Sequence, residues 1–461
     1  MPLEGRASHQ NTCCKETRAV HRNSECVETT LQRIAEKARQ ERSFRFTSVF
    51  HLMNKELLRG CFGGLREDAA WGIDRVTKKE YGKDLDANLT ALLEQLHGMK
   101  YIPQPVRRVY IPKPGSAKQR PLGIPSLEDK LVQAGLVRIL GAIYEGDFIE
   151  DSYGFRPGRG CHDALRALSH EVECGKVNFI VEADIKGFFD NVQHDWLMKF
   201  LGHRIADKRV LRYVKRFLIA GVVEDGTVRS TERGTPQGGV ISPLLANIYL
   251  HYILDLWCTR VFAKSCAGAM RLIRYADDFV VCFRHESDAN RFRQELDGRL
   301  AKFGLEVAPE KTQVLEFGPL ALPRAKARGE KPRTFDFLGL THYCGRTRDG
   351  RRFRMKRITA RKKFKAKLLA FKEWLKQNRI LPIPELMSKV SARLLGHFAY
   401  YGVTDNSKGI VRFANEVRKM LFKWLGRRGK RGSLGWEQFK KLLSRFRLPP
   451  PRIMVNLFTT P

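Results

Sequence analysis

The sequence predicts a protein of the α+β class, and two features of its apolar pattern support that prediction. NFIVEAD (178–184) has the continuous apolar character of a buried strand, whereas LEDKLVQAGLVRILGAIYEGDF (127–148) has the apolar spacing of a helix. Runs of both kinds follow one another without the strict strand–helix alternation of a parallel sheet. With 461 residues, 43% of them hydrophobic, the chain is long enough for two or three domains with real cores.

Composition divides the chain into four regions. Residues 1–29 are polar and aperiodic and predict a tail, and residues 30–74 have helical spacing. Residues 75–350 mix strand and helix patterns, and residues 351–461 are dominated by basic helical patterns. Within the third region, RRVYIPKPGSAKQRPLGIP (107–125) alternates and then breaks at Pro and Gly, which predicts strands joined by a loop.

The charge of the chain indicates a polyanionic partner. The chain has 84 Lys and Arg against 49 Asp and Glu, a formal net charge of +35. Residues 351–461 alone hold 29 Lys and Arg against 5 Asp and Glu, an excess too large for a merely solvated surface. Nucleic acid is the partner that this charge predicts first, and an anionic membrane surface is the alternative. No stretch of about 18 apolar residues occurs, so no membrane-spanning helix is expected.

The cysteines argue for a reducing compartment and against a zinc site. Ten cysteines are scattered along the chain, and none forms a C-x-x-C pair. Reduced, mostly buried thiols in a cytosolic protein are the simplest interpretation. The N-terminal residues lack the apolar core of a secretory signal.

Three carboxylates form the candidate catalytic centre. Asp184 ends the apolar run 178–184, and Asp277 and Asp278 lie in the middle of MRLIRYADDFVVCFRHE (270–286), which predicts a hairpin. If the two strands are neighbours, the acids meet and form an oxygen-rich site suited to Mg²⁺. Two such ions about 3.5–4 Å apart activate an attacking hydroxyl and stabilise the leaving oxygen in phosphoryl transfer. Successive side chains of a strand face opposite ways, so Asp278 is expected to point inward less directly. The alternative is that Asp277 and Asp278 are ordinary solvated turn residues.

The residues around these acids resemble the motifs of reverse transcriptases. Tyr275-Ala276-Asp277-Asp278 resembles their signature box, and Asp184 with the following IKGFFDNV (185–192) resembles the earlier acid motif of their palm. GTPQGGVISPLLANIYL (234–250) resembles the box that follows that motif. Three further stretches are similar to those of group II intron-encoded reverse transcriptase/maturases, namely YIPKP…RPLGIP (110–125), SYGFRPGRGCHDAL (152–165) and FDFLGLTH (335–342). The blocks come in the family's order over about residues 70–345.

This resemblance implies a right-hand polymerase, with fingers and palm over residues 75–350 and a basic helical thumb, or maturase domain X, over residues 351–461. It implies an RNA-directed DNA polymerase in which a primer 3′-OH attacks the α-phosphate of a dNTP, while Asp184, Asp277 and Asp278 hold two Mg²⁺. The implied partners are an RNA template with a DNA primer, dNTPs, target DNA and the parent group II intron RNA, whose splicing and mobility the protein would assist in the bacterial cytoplasm.

Two residues depart from the family's pattern. His397 in LLGHFAYYGV (394–403) stands where Trp is expected, and Arg75 in GIDRVT (72–77) stands where Gly is more common. Some relatives carry a C-terminal HNH endonuclease, and no Cys/His cluster of that kind precedes Pro461. We therefore expect no DNA-nicking activity from this chain itself.

The resemblance also implies which residues bind the nucleotide. Lys113 and Arg120 flank a Gly/Ser loop, and a Lys point charge and an Arg fork both suit a triphosphate. Lys118 competes for either role, and a solvated basic loop is the alternative. Phe189 resembles the aromatic residue that closes over the nucleotide sugar, where its ring would collide with a 2′-OH. Its neighbour Phe188 is then the core residue of the pair.

The remaining implied contacts are with nucleotide, template and primer. Gln237 resembles the glutamine that touches the incoming nucleotide, and Gly238 lets the backbone approach a base pair, although a plain helix-entry turn is the alternative. Arg156 would contact template phosphate or a displaced base, or else stabilise its own turn. Gly339 belongs to FDFLGL (335–340), which resembles the primer grip.

Two other functions are compatible with these motifs. One is a non-catalytic RNA-binding splicing factor that keeps the fold without the polymerase chemistry. The other is a retron-like, diversity-generating or defence-associated reverse transcriptase. The sequence specifies neither the oligomeric state nor which intron is served.

Overall fold

The computed structural model describes residues 27–112, 119–428 and 434–458. In chain order its helices are α1 (27–40), α2 (Lys55–Gly64), α3 (Lys78–Tyr81), α4 (Leu85–His97), α5 (Leu127–Tyr144), α6 (Cys161–Cys174), α7 (Phe188–Asn191), α8 (His194–Gly202), α9 (Lys208–Ile219), α10 (Ser242–Leu250), α11 (Glu286–Ala301), α12 (Ala321–Ala327), α13 (Arg361–Asn378), α14 (Ile383–Tyr401), α15 (Ser407–Leu425) and α16 (Trp436–Arg445). Two π-helical segments, His251–Asp255 and Trp257–Val261, continue α10. No helix among the described residues combines the length and the apolar character needed to cross a bilayer.

The strands form three sheets. In chain order they are β1 (Val106–Pro112), β2 (Gln119–Ile124), β3 (Phe179–Asp184), β4 (Val222–Glu224), β5 (Thr227–Arg229), β6 (Met270–Tyr275), β7 (Asp278–Phe283), β8 (Gln313–Glu316), β9 (Thr334–Phe337), β10 (Leu340–Arg346) and β11 (Phe353–Thr359). The strand orders are β2-β1-β4-β5, β6-β7-β3-β8 and β11-β10-β9. Helices and largely antiparallel strands are mixed, in agreement with the predicted α+β class.

The sheet β6-β7-β3-β8 has the position of the predicted palm, and it is buried on both faces. Val181 and Phe279 belong to a core that includes α5 and α8 to α11. Ile180 and Val280, on the opposite face, belong to a core that includes α6 and α13 to α15. Burial on both faces explains why these strands read as unbroken apolar runs.

The first sheet confirms the strands predicted within 107–125. β1 and β2 pair antiparallel, with Arg107 opposite Ile124, and β4 joins β1 in parallel. The connecting residues 113–118, which include Lys113 and Lys118, lie outside the described residues.

Both ends of the predicted division differ from the structure in detail. Helix α1 includes residues 27–29, which composition had placed in a tail. At the other end, Phe353–Thr359 is a strand paired with β10, although helices were expected from residue 351. Every second side chain along that strand, namely Met355, Arg357 and Thr359, is buried. The sequence did not reveal this two-residue alternation because many residues of the strand are basic.

Candidate active site

The structure brings the three predicted carboxylates to one end of the palm sheet. β3 and β7 are antiparallel neighbours, and Asp184 is the register partner of Asp278. Asp277 lies in the two-residue turn that joins β6 to β7, so the predicted hairpin is confirmed. Neighbouring strands therefore bring together residues that are far apart in sequence.

Burial and mutual repulsion raise the pKa values of two acids in this cluster. Burial, followed by the charges of Asp277, Asp184 and Glu182, raises the pKa of Asp278 to about 7. Burial also raises the pKa of Asp277, and the charge of Asp184 adds to the effect. A bound cation would relieve both penalties, since it stabilises the ionised carboxylates.

The donor chemistry of the cluster fits a divalent cation, although the side chains do not form a closed ligand set. Carboxylate oxygens are the ligands that Mg²⁺ prefers. However, no group of three or more His, Cys, Asp or Glu side chains in the described ranges is arranged closely enough to hold a metal ion. Asp184 instead accepts a hydrogen bond through Oδ2 from Lys311 Nζ at 2.6 Å.

Lys311 is a site residue that the sequence did not reveal. It ends a 3₁₀ turn, Pro309–Lys311, that is anchored beside Asp184 because Ala308 N donates to Asp184 O at 2.8 Å. The ion pair raises the pKa of the Lys311 ammonium. A single lysine in a short turn carries no sequence signal that distinguishes it from a surface lysine.

A buried ion pair supports the turn that contains Asp277. Arg274, which is 0% exposed, donates to both carboxylate oxygens of Asp255 at 2.7 and 2.6 Å. Its Nη1 also donates to Asn247 Oδ1 at 2.9 Å and to Ala276 O at 3.0 Å. The π-helical segment that continues α10 carries Asp255, and insertions of this kind are frequent at functional sites. Two opposite charges, each within an otherwise apolar run, were a signal for this pair.

The segment that contains Gly154 presses against the same turn. Tyr153 N donates to Arg274 O at 2.9 Å, and Asn247 Nδ2 donates to Gly154 O at 2.7 Å. A Cβ atom on Gly154 would overlap the backbone nitrogen of Ala276. Ala276 itself has φ of 56°, a conformation that few non-glycine residues adopt.

The contacts of Arg156 match the second of its two predicted roles, which is to stabilise the local chain. Its guanidinium is buried and donates to Glu145 Oε1 at 2.7 Å, to Ile149 O at 2.6 Å and to Ser152 O at 2.7 Å. The guanidinium N–H groups that could bind a template phosphate therefore already donate to oxygens of the protein. These contacts favour the structural role, and the template contact of Arg156 stays a prediction.

Phe188 and Phe189 have different surroundings. Phe188 is 2% exposed and belongs to the core, whereas Phe189 is only partly buried. Phe189 lines a cavity of about 370 Å³ together with Arg108, Thr235 and Gln237. Arg108 Nε, Thr235 Oγ1 and Gln237 Oε1 are buried without a hydrogen-bond partner among the described residues. Such unpaired polar atoms are expected where a polar ligand binds.

Arg120 and the first turn of α13 place positive charge near the carboxylates. Arg120 is exposed on β2 and lies close enough to lower the pKa of Asp277, against the larger effect of burial. Lys363, in the first turn of α13, acts on Asp278 in the same direction. The N-terminal end of α13 is thus within electrostatic reach of the site.

Gly238 and Gly339 both have positive φ, 108° and 76°. A Cβ on Gly238 would overlap Gly123 O, so the close approach that this glycine permits is to β2. The predicted contacts of both glycines with template or primer stay predictions.

The two departures from the family's pattern have local explanations. Arg75 has φ of 56°, in the left-handed region that glycine favours. His397, in α14, is buried and stacks on Phe413 of α15, with ring centroids 3.6 Å apart. The imidazole ring of His397 thus supplies a flat aromatic surface to this packing.

Comparison with known proteins decides the family. Residues 111–342, half of the chain, match the model described as "Reverse transcriptase (RNA-dependent DNA polymerase)". The chain belongs to the reverse transcriptase family. Residues 361–443 match a second model, "Group II intron, maturase-specific domain". The resemblance inferred from the motifs is thereby confirmed.

Two of three similar curated proteins are named after introns. The chain is 37% identical over 222 residues to the group II intron-encoded protein LtrA of Lactococcus lactis subsp. cremoris, covering 48% of this chain and 37% of LtrA. It is 36% identical over 273 residues to protein YkfC of Escherichia coli, covering 53% of this chain and 71% of YkfC. A putative COX1/OXI3 intron 1 protein of Saccharomyces cerevisiae is 28% identical over 274 residues, covering 49% of this chain and 32% of that protein. The chain thus spans little more than a third of the length of LtrA.

Proposed function

We propose that this protein is the RNA-directed DNA polymerase of a group II intron, copying an RNA template from a DNA primer with dNTPs. The observation that carries the proposal is the register pairing of Asp184 with Asp278, beside Asp277 in the turn, within a chain of the reverse transcriptase family. Asp184, Asp277 and Asp278 would together hold two Mg²⁺. When bound, the metal ions supply activation of the primer 3′-OH and stabilisation of the leaving pyrophosphate oxygens.

The residues around the carboxylates would bind and select the nucleotide. The fork of Arg120 would hold phosphate oxygens, a role that Lys113 would share. The ring of Phe189 would occupy the space of a ribose 2′-OH and so exclude ribonucleotides. Gln237 would use its unpaired Oε1 to accept a hydrogen bond from the nucleotide. Lys311 would hold the Asp184 carboxylate before a cation binds, through the ion pair described above.

We further propose that the basic C-terminal region binds the parent intron RNA and assists its splicing and mobility. The match of residues 361–443 to the maturase-specific model and the excess of Lys and Arg after residue 350 support this role. The same match favours an intron-encoded enzyme over retron-like, diversity-generating or defence-associated relatives. Target DNA would be a further substrate during mobility.

Primer extension tests the proposal against a non-catalytic splicing factor. Asp277→Asn keeps the shape of the turn but removes a negative charge that would bind the metal ions. Because those ions stabilise the transition state by several kcal/mol, extension on an RNA template should fall about 1,000-fold. Asp195→Asn, at an exposed position of α8, is the matched control and should extend primers normally. Intron RNA binding and splicing should persist in both variants.

The wild-type result separates the two functions. If the wild-type protein incorporates no dNTP with Mg²⁺ while it still binds and splices intron RNA, the non-catalytic splicing factor is correct and the polymerase proposal fails. If Asp277→Asn extends primers as well as the wild type does, the assigned site is wrong.

A further inference from the structure

Helix α15 carries a groove that the proposed polymerase chemistry does not use. The groove has a volume of about 550 Å³ and lies between the exposed face of α15 and Trp436, the first residue of α16. The opposite face of α15, with Ile410, Phe413 and Val417, is buried in the thumb core. The exposed face therefore makes no contribution to that core.

The floor of the groove is apolar, and its largest side chain, Trp436, packs against other aromatic rings. Val411 is 41% exposed and Trp436 is 50% exposed, so both present apolar surface to solvent within the groove. The indole of Trp436 is oriented by Phe422, whose ring centroid is 5.1 Å away in an edge-to-face arrangement, and by Phe439 at 5.6 Å. One part of the indole is thus fixed against the protein while the other part faces solvent.

The rim of the groove is positively charged. Lys408, Arg418 and Lys419 contribute cations, and the acid among the lining residues, Glu416, is already paired with Lys419 at 2.9 Å. Lys408 and Arg418 form no hydrogen bond or ion pair with any described residue. These two charges are therefore available to a partner.

A polar group that can read a base edge lies in the same groove. Asn415 is exposed, lines the groove and forms no hydrogen bond with the described part of the chain. Its amide offers one acceptor and two donors, which can pair with the edge of an unstacked base.

We infer that this groove binds a single-stranded segment of RNA, with one unpaired base stacked on Trp436 and its flanking phosphates on Lys408 and Arg418. The inference rests on the proposed intron RNA binding, which it localises to a face of α15. Stacking requires an exposed base face, which single strands offer and duplexes do not. An anionic membrane fits less well, because its binding needs a broad apolar face, whereas here two apolar residues lie between cations.

Substitution of Trp436 in the full-length protein tests the stacking. Trp436→Leu keeps apolar bulk but removes the ring, so affinity for a single-stranded RNA of about 12 nucleotides should fall about tenfold. Trp436→Phe retains a stacking ring and should stay within about twofold of the wild type. Affinity for the same strand annealed to its complement should not change in either variant.

A matched pair of charge substitutions tests the phosphate contact independently of Trp436. Lys408→Gln should weaken binding of the single strand and reduce the slope of log affinity against log salt by about one. Lys423→Gln makes the same change at an exposed position of the same helix, outside the groove, and should preserve the preference for single-stranded RNA. Thermal melting of each variant shows whether the fold is intact.

The outcomes are distinguishable. Equal single-strand affinity for Trp436→Leu and Trp436→Phe, or a loss of duplex affinity as large as that for the single strand, overturns the inference while primer extension and intron splicing leave the proposed function standing. Loss of binding to anionic phosphatidylserine vesicles by Trp436→Leu, with RNA affinity unchanged, overturns it in favour of a membrane. A wild-type protein that binds no RNA at all defeats both proposals.

Discussion

Arg274 Nη1 donates a hydrogen bond to the carbonyl oxygen of Ala276 at 3.0 Å, so a fully buried guanidinium holds the turn that contains Asp277. The remaining donors of that guanidinium are bound by Asp255 and Asn247, which leaves Arg274 little freedom to move. The turn has a strained φ at Ala276, and the network gives a physical reason why that strain persists.

Replacing Arg274 should test the cost of this network. Arg274→Lys keeps the charge but loses the bidentate contact with Asp255 and the bond to Ala276, so the free energy of unfolding should fall by about 3 kcal/mol. Denaturant unfolding measures the change. Arg284→Lys, at an exposed position just after β7, is the control and should stay within about 0.5 kcal/mol of the wild type. Equal stability of the two variants would show that the buried pair has little structural importance.

Gly154→Ala should impair catalysis more than folding. The added Cβ would push the backbone of Ala276, and a displacement of about 1 Å at reacting groups can cost about 100-fold in rate. We expect primer extension to fall by that order while RNA affinity is retained. Gly396→Ala, in a helix position where a Cβ meets no neighbour, should leave extension unchanged. Normal extension by Gly154→Ala would contradict the close packing of this segment on the turn.

Lys311→Met should increase the affinity of the site for Mg²⁺. The substitution removes the ammonium that competes for Asp184 and makes the carboxylate cluster more negative, so metal affinity should rise at least about threefold. Calorimetric titration of the protein with Mg²⁺ measures this without relying on activity. Lys302→Met, at an exposed position, should not alter the titration. A weaker affinity in Lys311→Met would mean that the lysine supports the metal site instead of competing with it.

Acid should destabilise the fold through His342, a fully buried residue of β10. Burial, with the nearby charge of Arg357 adding to it, lowers the pKa of His342 to about 3. Between the ordinary histidine pKa of about 6.5 and that value, the unfolded chain binds a proton that the folded chain does not, so stability falls as the pH decreases. At pH 5 this costs about 2 kcal/mol relative to pH 7, a loss that His342→Leu should remove.

The control for this prediction is His170→Leu, at an exposed position of α6, which should keep the pH dependence of the wild type. Unfolding curves at pH 5 and pH 7 give the comparison. If the wild type and His342→Leu lose the same stability between these pH values, His342 is not the group responsible.

The sequence by itself determined the features that depend on local pattern. The alternation of apolar and turn residues predicted the hairpin at 270–286. The position of Asp184 at the end of the apolar run 178–184 predicted that it meets Asp277 and Asp278 if the two strands are neighbours. The order of the motifs indicated the reverse transcriptase family, which the comparisons confirmed. Local patterns suffice here because strand period, turn chemistry and motif order are properties of adjacent residues.

Only the tertiary structure decided which distant residues meet. Lys311 reaches Asp184 because the turn that carries it leads into β8, which pairs with β3. Arg274 reaches Asp255 because a π-helical segment follows α10. Arg156 turned inward to Glu145, although its motif alone allowed a contact with nucleic acid. In each case a long charged side chain can reach several partners, and the choice among them depends on packing and desolvation, which adjacent residues do not encode.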